Sequence, residues 1–114
     1  MGLVVQKFGG TSVADPERIR EVADHVARTV RRGASAVVVV SAMGKETDDL
    51  IRLATEVSSV RPGREMDMLI TAGERKAMAL VCMALHSLGV GDRGPAELLH
   101  HQRHPASVAV PAFH

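Results

Sequence analysis

The spacing of apolar positions changes along this chain, and each change marks an element. Leu3, Val4 and Val5 form a short continuous run, the pattern of a buried strand. Two glycines then interrupt it. From Asp15 the period becomes helical: Ile19, Val22, Ala23, Val26, Ala27 and Val30 share one face, and Arg18, Arg20, Glu21, Asp24 and Arg28 fill the other. Asp15 reads as the N-cap, Pro16 as the first helical residue and Glu17 as a first-turn carboxylate facing the positive end of the dipole. Arg31, Arg32 and Gly33 close the helix with positive charge and a residue that tolerates left-handed backbone. Ala36 to Val40 is again continuous and mostly β-branched, which predicts a parallel strand buried on both faces. Strand, helix and strand make a βαβ unit, expected to cross over right-handed. The predicted fold class is therefore α/β with a parallel sheet.

The second half is predicted to be helical. One helix is expected from near Thr47 or Asp48 to about Val57, and Ser58 to Gly63, with Pro62, reads as a linker. From Met66 a long stripe follows: Leu69, Ile70, Gly73, Ala77, Leu80, Val81, Ala84, Leu85 and Leu88. Gly73 lies on that stripe and predicts either a close helix contact or a break between two helices. Gly89 ends the segment. Beyond Val90 the pattern dissolves, and this stretch holds three of the five prolines and four of the six histidines.

Composition narrows the function. A chain of 114 residues is one domain at most, with enough length for a real core. Its net charge of +1 announces neither nucleic acid nor an anionic membrane, and the lack of Trp and Tyr, with only Phe8 and Phe113, argues against aromatic stacking on bases. Cys82, the single cysteine, permits no internal disulfide and reads as helix packing. No apolar run approaches the roughly 20 residues of a membrane span, and the start lacks the basic flank and apolar stretch of a secretory signal. The expected location is the cytoplasm.

Candidate chemistry gathers in the two loops that follow the strands, because ligands of open α/β sheets sit beyond the carboxyl ends of the strands. The first is Lys7-Phe8-Gly9-Gly10-Thr11-Ser12 and the second runs from Ser41 through Gly44 and Lys45 to Thr47. Glycines let backbone N–H groups approach an anion, a lysine adds a mobile positive charge, and hydroxyls donate to phosphate or carboxylate oxygens. The spacing alone equally allows a tight turn at Gly9-Gly10, a solvated Lys7, and turn or cap roles for Ser41 and Thr47. Glu74 reads as a solvated helix carboxylate or, if its helix end faces the loops, as a partner for an ammonium group. A P-loop is excluded, since Val39 stands where its first glycine belongs and Glu46 follows Gly44-Lys45; the dinucleotide fingerprint is also missing after the first strand. His100, His101 and His104 do not have the spacing of a metal site, so no metal ligands are assigned. The methionines read as core filler.

Three stretches together resemble a known family. VVQKFGGTSVAD resembles the N-terminal signature of aspartate kinases, VVVVSAMGKETDDL their second loop, and EMDMLITAGERKAMAL the helix that follows, in the family's order and over residues 2 to about 90. The resemblance implies the βαβ start of the amino-acid-kinase three-layer sandwich, incomplete here, and transfer of the γ-phosphoryl group of Mg-ATP to the side-chain carboxylate of L-aspartate, on the route to lysine, threonine and methionine. It implies that Lys7 and the backbone of Phe8, Gly9 and Gly10 meet the ATP phosphates, with Lys7 catalytic and Ser41 in the same centre. Thr47 would bind the aspartate carboxylate region and Glu74 its ammonium. ATP and L-aspartate are the implied partners, and a homo-oligomer is left open. The alternatives are a non-catalytic amino-acid or phosphate-binding fragment, or another amino-acid kinase.

Two departures stand out. The family continues TAGER with Ile-Ser, where this chain has Lys76-Ala77. After about residue 90 the resemblance stops, and residues 91–114 are expected to be a divergent tail, read as disordered or as the product of a one-base frameshift near Ala96-Glu97-Leu98. Most nucleotide contacts of the family would lie beyond the resembling residues, so the isolated chain is expected to be inactive, with an uncovered helix face and an unpaired sheet edge.

Overall fold

The computed structural model describes residues 2–90 together with two short strands at 92–93 and 108–109. Strand β1 (Leu3–Phe8) leads through a 3-10 turn (Gly10–Val13) into helix α1 (Pro16–Arg31), and β2 (Ser35–Val40) completes the βαβ unit. Helix α2 (Glu46–Val57) and helix α3 (Gly63–Ser87) follow, then β3 (Asp92–Arg93) and β4 (Val108–Ala109). The strands lie in the order β1-β2-β4-β3, and each neighbouring pair is parallel. The α/β class and the parallel βαβ start agree with expectation. The expected divergence after Val90 falls on residues outside those described, apart from β3 and β4.

Local signals set the ends of α1 where the residues predicted them, whereas α3 begins at Gly63, within the expected linker, with Pro62 at its cap position. Asp15 caps α1 by accepting a hydrogen bond from the Arg18 N–H at 2.9 Å, with Pro16 at the first helical position. Gly33, at φ 95°, lets the chain leave α1, and Gly89, at φ 76°, does the same after α3. Gly73 does not break the long helix: α3 runs through it without interruption.

The core lies between one sheet face and the pair α1 and α3. Ile19, Val22, Ala23, Val26 and Ala27 of α1 meet Ala36, Val38 and Val40 of β2, and Ala77, Val81 and Leu85 of α3. Arg31 donates to the Leu88 carbonyl at 2.8 Å and ties the C-terminal ends of α1 and α3 together.

Two expectations about burial fail for one physical reason. β2 is not buried on both sides: Ala36, Val38 and Val40 are buried, but Ser35, Val37 and Val39 only half so. The pairing register places Leu3, Val5 and Lys7 on that second face, opposite Ser35, Val37 and Val39. Leu3 and Val5 are 67% and 65% exposed, not buried. The helices that contact β2 cover the face of Ala36, Val38 and Val40, which leaves the alternate residues open among the described parts of the chain.

Candidate functional site

The two loops after β1 and β2 are joined by their backbones. The Ser41 N–H donates to the Phe8 carbonyl at 3.2 Å, and the Gly44 N–H donates to the Gly10 carbonyl at 2.9 Å. Gly10 is required by this junction. A Cβ there would stand 3.0 Å from the Ala42 carbonyl oxygen and 3.1 Å from that of Gly44, and neither backbone atom can yield. Gly44, at φ 50°, turns the second loop back toward the first. Gly9 differs: nothing lies within 4 Å of where its Cβ would be, so its bare backbone faces open space. The Ser12 N–H closes the 3-10 turn on the Gly9 carbonyl at 3.0 Å.

Ala42 links this junction to the helices. It is buried in the second loop, and its Cβ lies 3.4 Å from where a Cβ of Gly73 would be. At the same point α2 crosses α3, with Glu46 Cγ at 3.0 Å and Leu50 Cδ1 at 3.2 Å from that position. The glycine in the stripe thus marks a close approach, one of the two readings its position allowed. Glu74, the next residue, is only 1% exposed and is the one charged residue among the described buried core. The reading of Glu74 as a solvated helix carboxylate is overturned. Placing a carboxylate in a core costs several kcal/mol unless the surroundings repay it, and its position beside the loop junction makes it a candidate for ligand recognition.

Thr47 is half-buried in the first turn of α2, which begins at Glu46. It does not cap that helix: Lys45 holds the cap position and makes no side-chain cap bond. Lys7 is exposed on the open sheet face, one residue before the end of β1, and Ser41 is half-buried just past the end of β2. Phe8 packs against the core and meets the His25 ring edge-on, with centroids 6.0 Å apart. The fold therefore brings Lys7, Phe8, Gly9, Gly10 and Ser41 to one end of the sheet, and sets α2 with Thr47 and α3 with Glu74 against the second loop. Cys82 is half-buried against the core, as a packing residue would be. The histidines at 100, 101 and 104 lie outside the described residues.

Ala42, Glu46 and Lys76 carry this geometry without having been singled out for it. A small residue directly after Ser41 was the available signal for Ala42. The Glu46–Lys76 pairing joins residues 30 apart and had no local signature. Among the clefts of the described residues, one adjoins the first loop and one runs between α2 and α3. The first, of about 250 Å³, is lined by Phe8, Ser12, Arg18, Glu21, Val22 and His25. The other, of about 410 Å³, is lined mainly by apolar side chains including Leu53, Val57, Val60, Met66 and Leu69. It lies away from the loops and offers little polar chemistry.

Known proteins share this fold. The chain is 61% identical over 93 residues to the aspartokinase of Mycolicibacterium smegmatis, covering 82% of this chain and 22% of that protein. It is 57% identical over 89 residues to the aspartokinase of Corynebacterium glutamicum, covering 78% of this chain and 21% of that one. The crystal structure of aspartate kinase from Synechocystis superposes with a TM-score of 0.81 at 43% identity, over 97% of this chain and 22% of the other. The chain thus spans about a fifth of the length of these relatives. The model of the amino acid kinase family matches residues 2–94, and on that match the chain belongs to the amino acid kinase family.

Proposed function

We propose that this chain supplies the phosphate-loop and acceptor-binding part of an aspartate kinase, which moves the γ-phosphoryl group of Mg-ATP to the side-chain carboxylate of L-aspartate. The observation that carries the reading is the backbone junction of the two loops at Gly10 and Gly44, with buried Glu74 beside it. The relatives named aspartokinase support it.

The chemistry asks for position and charge more than for covalent help. An oxygen of the aspartate side chain attacks the γ-phosphorus, the bond from that phosphorus to the β,γ-bridging oxygen breaks, and ADP leaves with the electron pair. The product is 4-phospho-L-aspartate, an acyl phosphate that serves lysine and threonine biosynthesis. No general base is needed, because the attacking carboxylate is ionised at neutral pH. Lys7 offsets charge on the transferring group, and the backbone of Phe8, Gly9 and Gly10 offers fixed N–H donors whose cost of orientation is met by folding. The open space over Gly9 suits that approach. Ser41 adds a hydroxyl at the same edge. Thr47 binds the carboxylate region of aspartate, and Glu74 selects an α-amino acid by pairing with its ammonium. Mg²⁺ arrives with ATP as part of the co-substrate. No helix among the described residues is long and apolar enough to cross a membrane, and ATP chemistry points to the cytoplasm.

The second reading is a non-catalytic fragment that binds the amino acid or phosphate without turning it over. Joining residues 1–90 to the remaining length of the Mycolicibacterium smegmatis relative tests the first reading. Aspartate-dependent ADP release is expected, with glutamate and acetylglutamate inert and Lys7→Ala lowering kcat by roughly 100-fold or more. Equal rates with glutamate would overturn the acceptor assignment. The chain by itself is expected to shift amide resonances with aspartate or ATP and to release no ADP.

A further inference from the structure

Lys76 stands where the family resemblance expects isoleucine. Its Nζ donates to Glu46 Oε2 at 2.9 Å, across from α3 to the first residue of α2. Glu46 directly precedes Thr47, and Lys76 lies two residues after Glu74. An isoleucine would offer Glu46 no charge and no donor.

Glu46 is held from two sides. Its stem crosses α3 over the bare backbone of Gly73, where a Cβ would approach its Cγ to 3.0 Å. Its carboxylate ends on Lys76. The start of α2 depends on such contacts, since the cap position carries no side-chain bond. The pair is partly shielded on the Glu46 side, which is 26% exposed against 50% for Lys76.

We propose that the Glu46–Lys76 ion pair positions the acceptor-binding residues, fixing Thr47 at the head of α2 relative to Glu74 on α3. The proposal rests on the assignment of Thr47 and Glu74 to aspartate given above. Thr47 and Glu74 must hold different groups of one small molecule, so a shift between their two helices changes affinity and reacting geometry together. A misplacement of about 1 Å can cost as much as about 100-fold in rate. Lys76 is a positioning residue and touches no substrate. An exposed ion pair adds little to global stability, so its signature is local.

The test uses the ¹⁵N-labelled 114-residue chain with Lys76→Met, Lys76→Arg, Glu46→Gln and the Glu46→Gln/Lys76→Met double variant. Without ligand, raising NaCl from about 0.05 to about 1 M should move the Thr47 amide resonance clearly further in the wild type and in Lys76→Arg than in Lys76→Met, since salt weakens the ion pair on top of the general screening that all three share. Aspartate should bind each single neutralised variant roughly three- to tenfold more weakly, and the double variant no more weakly than either, the non-additivity of one shared contact. Lys76→Arg should restore affinity to within about twofold. Urea midpoints should stay together, whereas a merely structural pair would lower them in step with affinity. A Thr47 resonance that responds to salt equally in wild type and Lys76→Met overturns the proposal, as does additive loss in the double variant. If aspartate shifts nothing in the wild type, the aspartate assignment falls, and the salt series still decides whether the clamp exists.

Discussion

Helices α1 and α2 present the same kind of sequence and meet different fates. Each has an apolar stripe and a charged opposite side, and each follows a strand. α1 buries five residues, Ile19 through Ala27, against β2 and α3. α2 fully buries none: Leu50 and Ala54 are half-covered, while Ile51, Leu53 and Val57 stay exposed. The difference is geometric. α1 lies over the sheet and has a neighbour helix, whereas α2 touches the body of the protein chiefly along α3. An amphipathic pattern states that a helix needs a partner; it does not state that the partner lies within the same stretch of chain.

Substitutions can break or sharpen that contrast. The largest effect is expected at Leu85, wholly buried where α3 meets the α1 side of the core. Leu85→Ala should lower unfolding free energy by about 2–5 kcal/mol in urea denaturation, through lost burial and the cavity left behind. Gly73→Val should cost about 1–3 kcal/mol, since a branched side chain has to displace Leu50 and Ala42 at the α2–α3 crossing. A neutral result there would mean that α2 is held more loosely than its contacts imply. Asp15→Ala, which removes the α1 cap, should cost about 1 kcal/mol. The smallest effect is expected at Val57, which is 79% exposed near the end of α2: Val57→Ala should change stability by less than about 0.5 kcal/mol. A larger loss at Val57 would show that the α2 face is covered in solution and would erase the contrast.

Much of this was legible in the residues because the signals were local. Asp15, Pro16 and Gly33 bound α1 through short-range capping chemistry, and the stripe from Ile19 to Val30 fixed its inward face. The loop residues Lys7 to Gly10 and Ser41 stood out through the family-like motifs around them, since a glycine pair and a strand-end lysine by themselves also suit a plain turn and a solvated side chain. What escaped was non-local. A run of valines looks alike whether one face or two will be covered, so the half-open state of β2 was hidden in it. The burial of Glu74 depends on how α3 packs, and the Glu46–Lys76 pair depends on a crossing that only the folded chain creates. Gly73 fell between: its place on the stripe flagged an oddity, and the structure chose between contact and break.

The register of β1 against β2 has a consequence for how the chain protects its own lysine. Side chains alternate along a strand, so a slip of one residue would exchange the two faces of β1. Lys7 would then turn from the open face toward α1, into a core that has no place for an ammonium group. Gln6 would lose the bond its amide makes to the Thr29 hydroxyl at 3.0 Å. Lys7 and Gln6 together act as a proofreading mark. The residue proposed to meet the phosphate penalises, by its own charge, the misaligned sheet that would hide it.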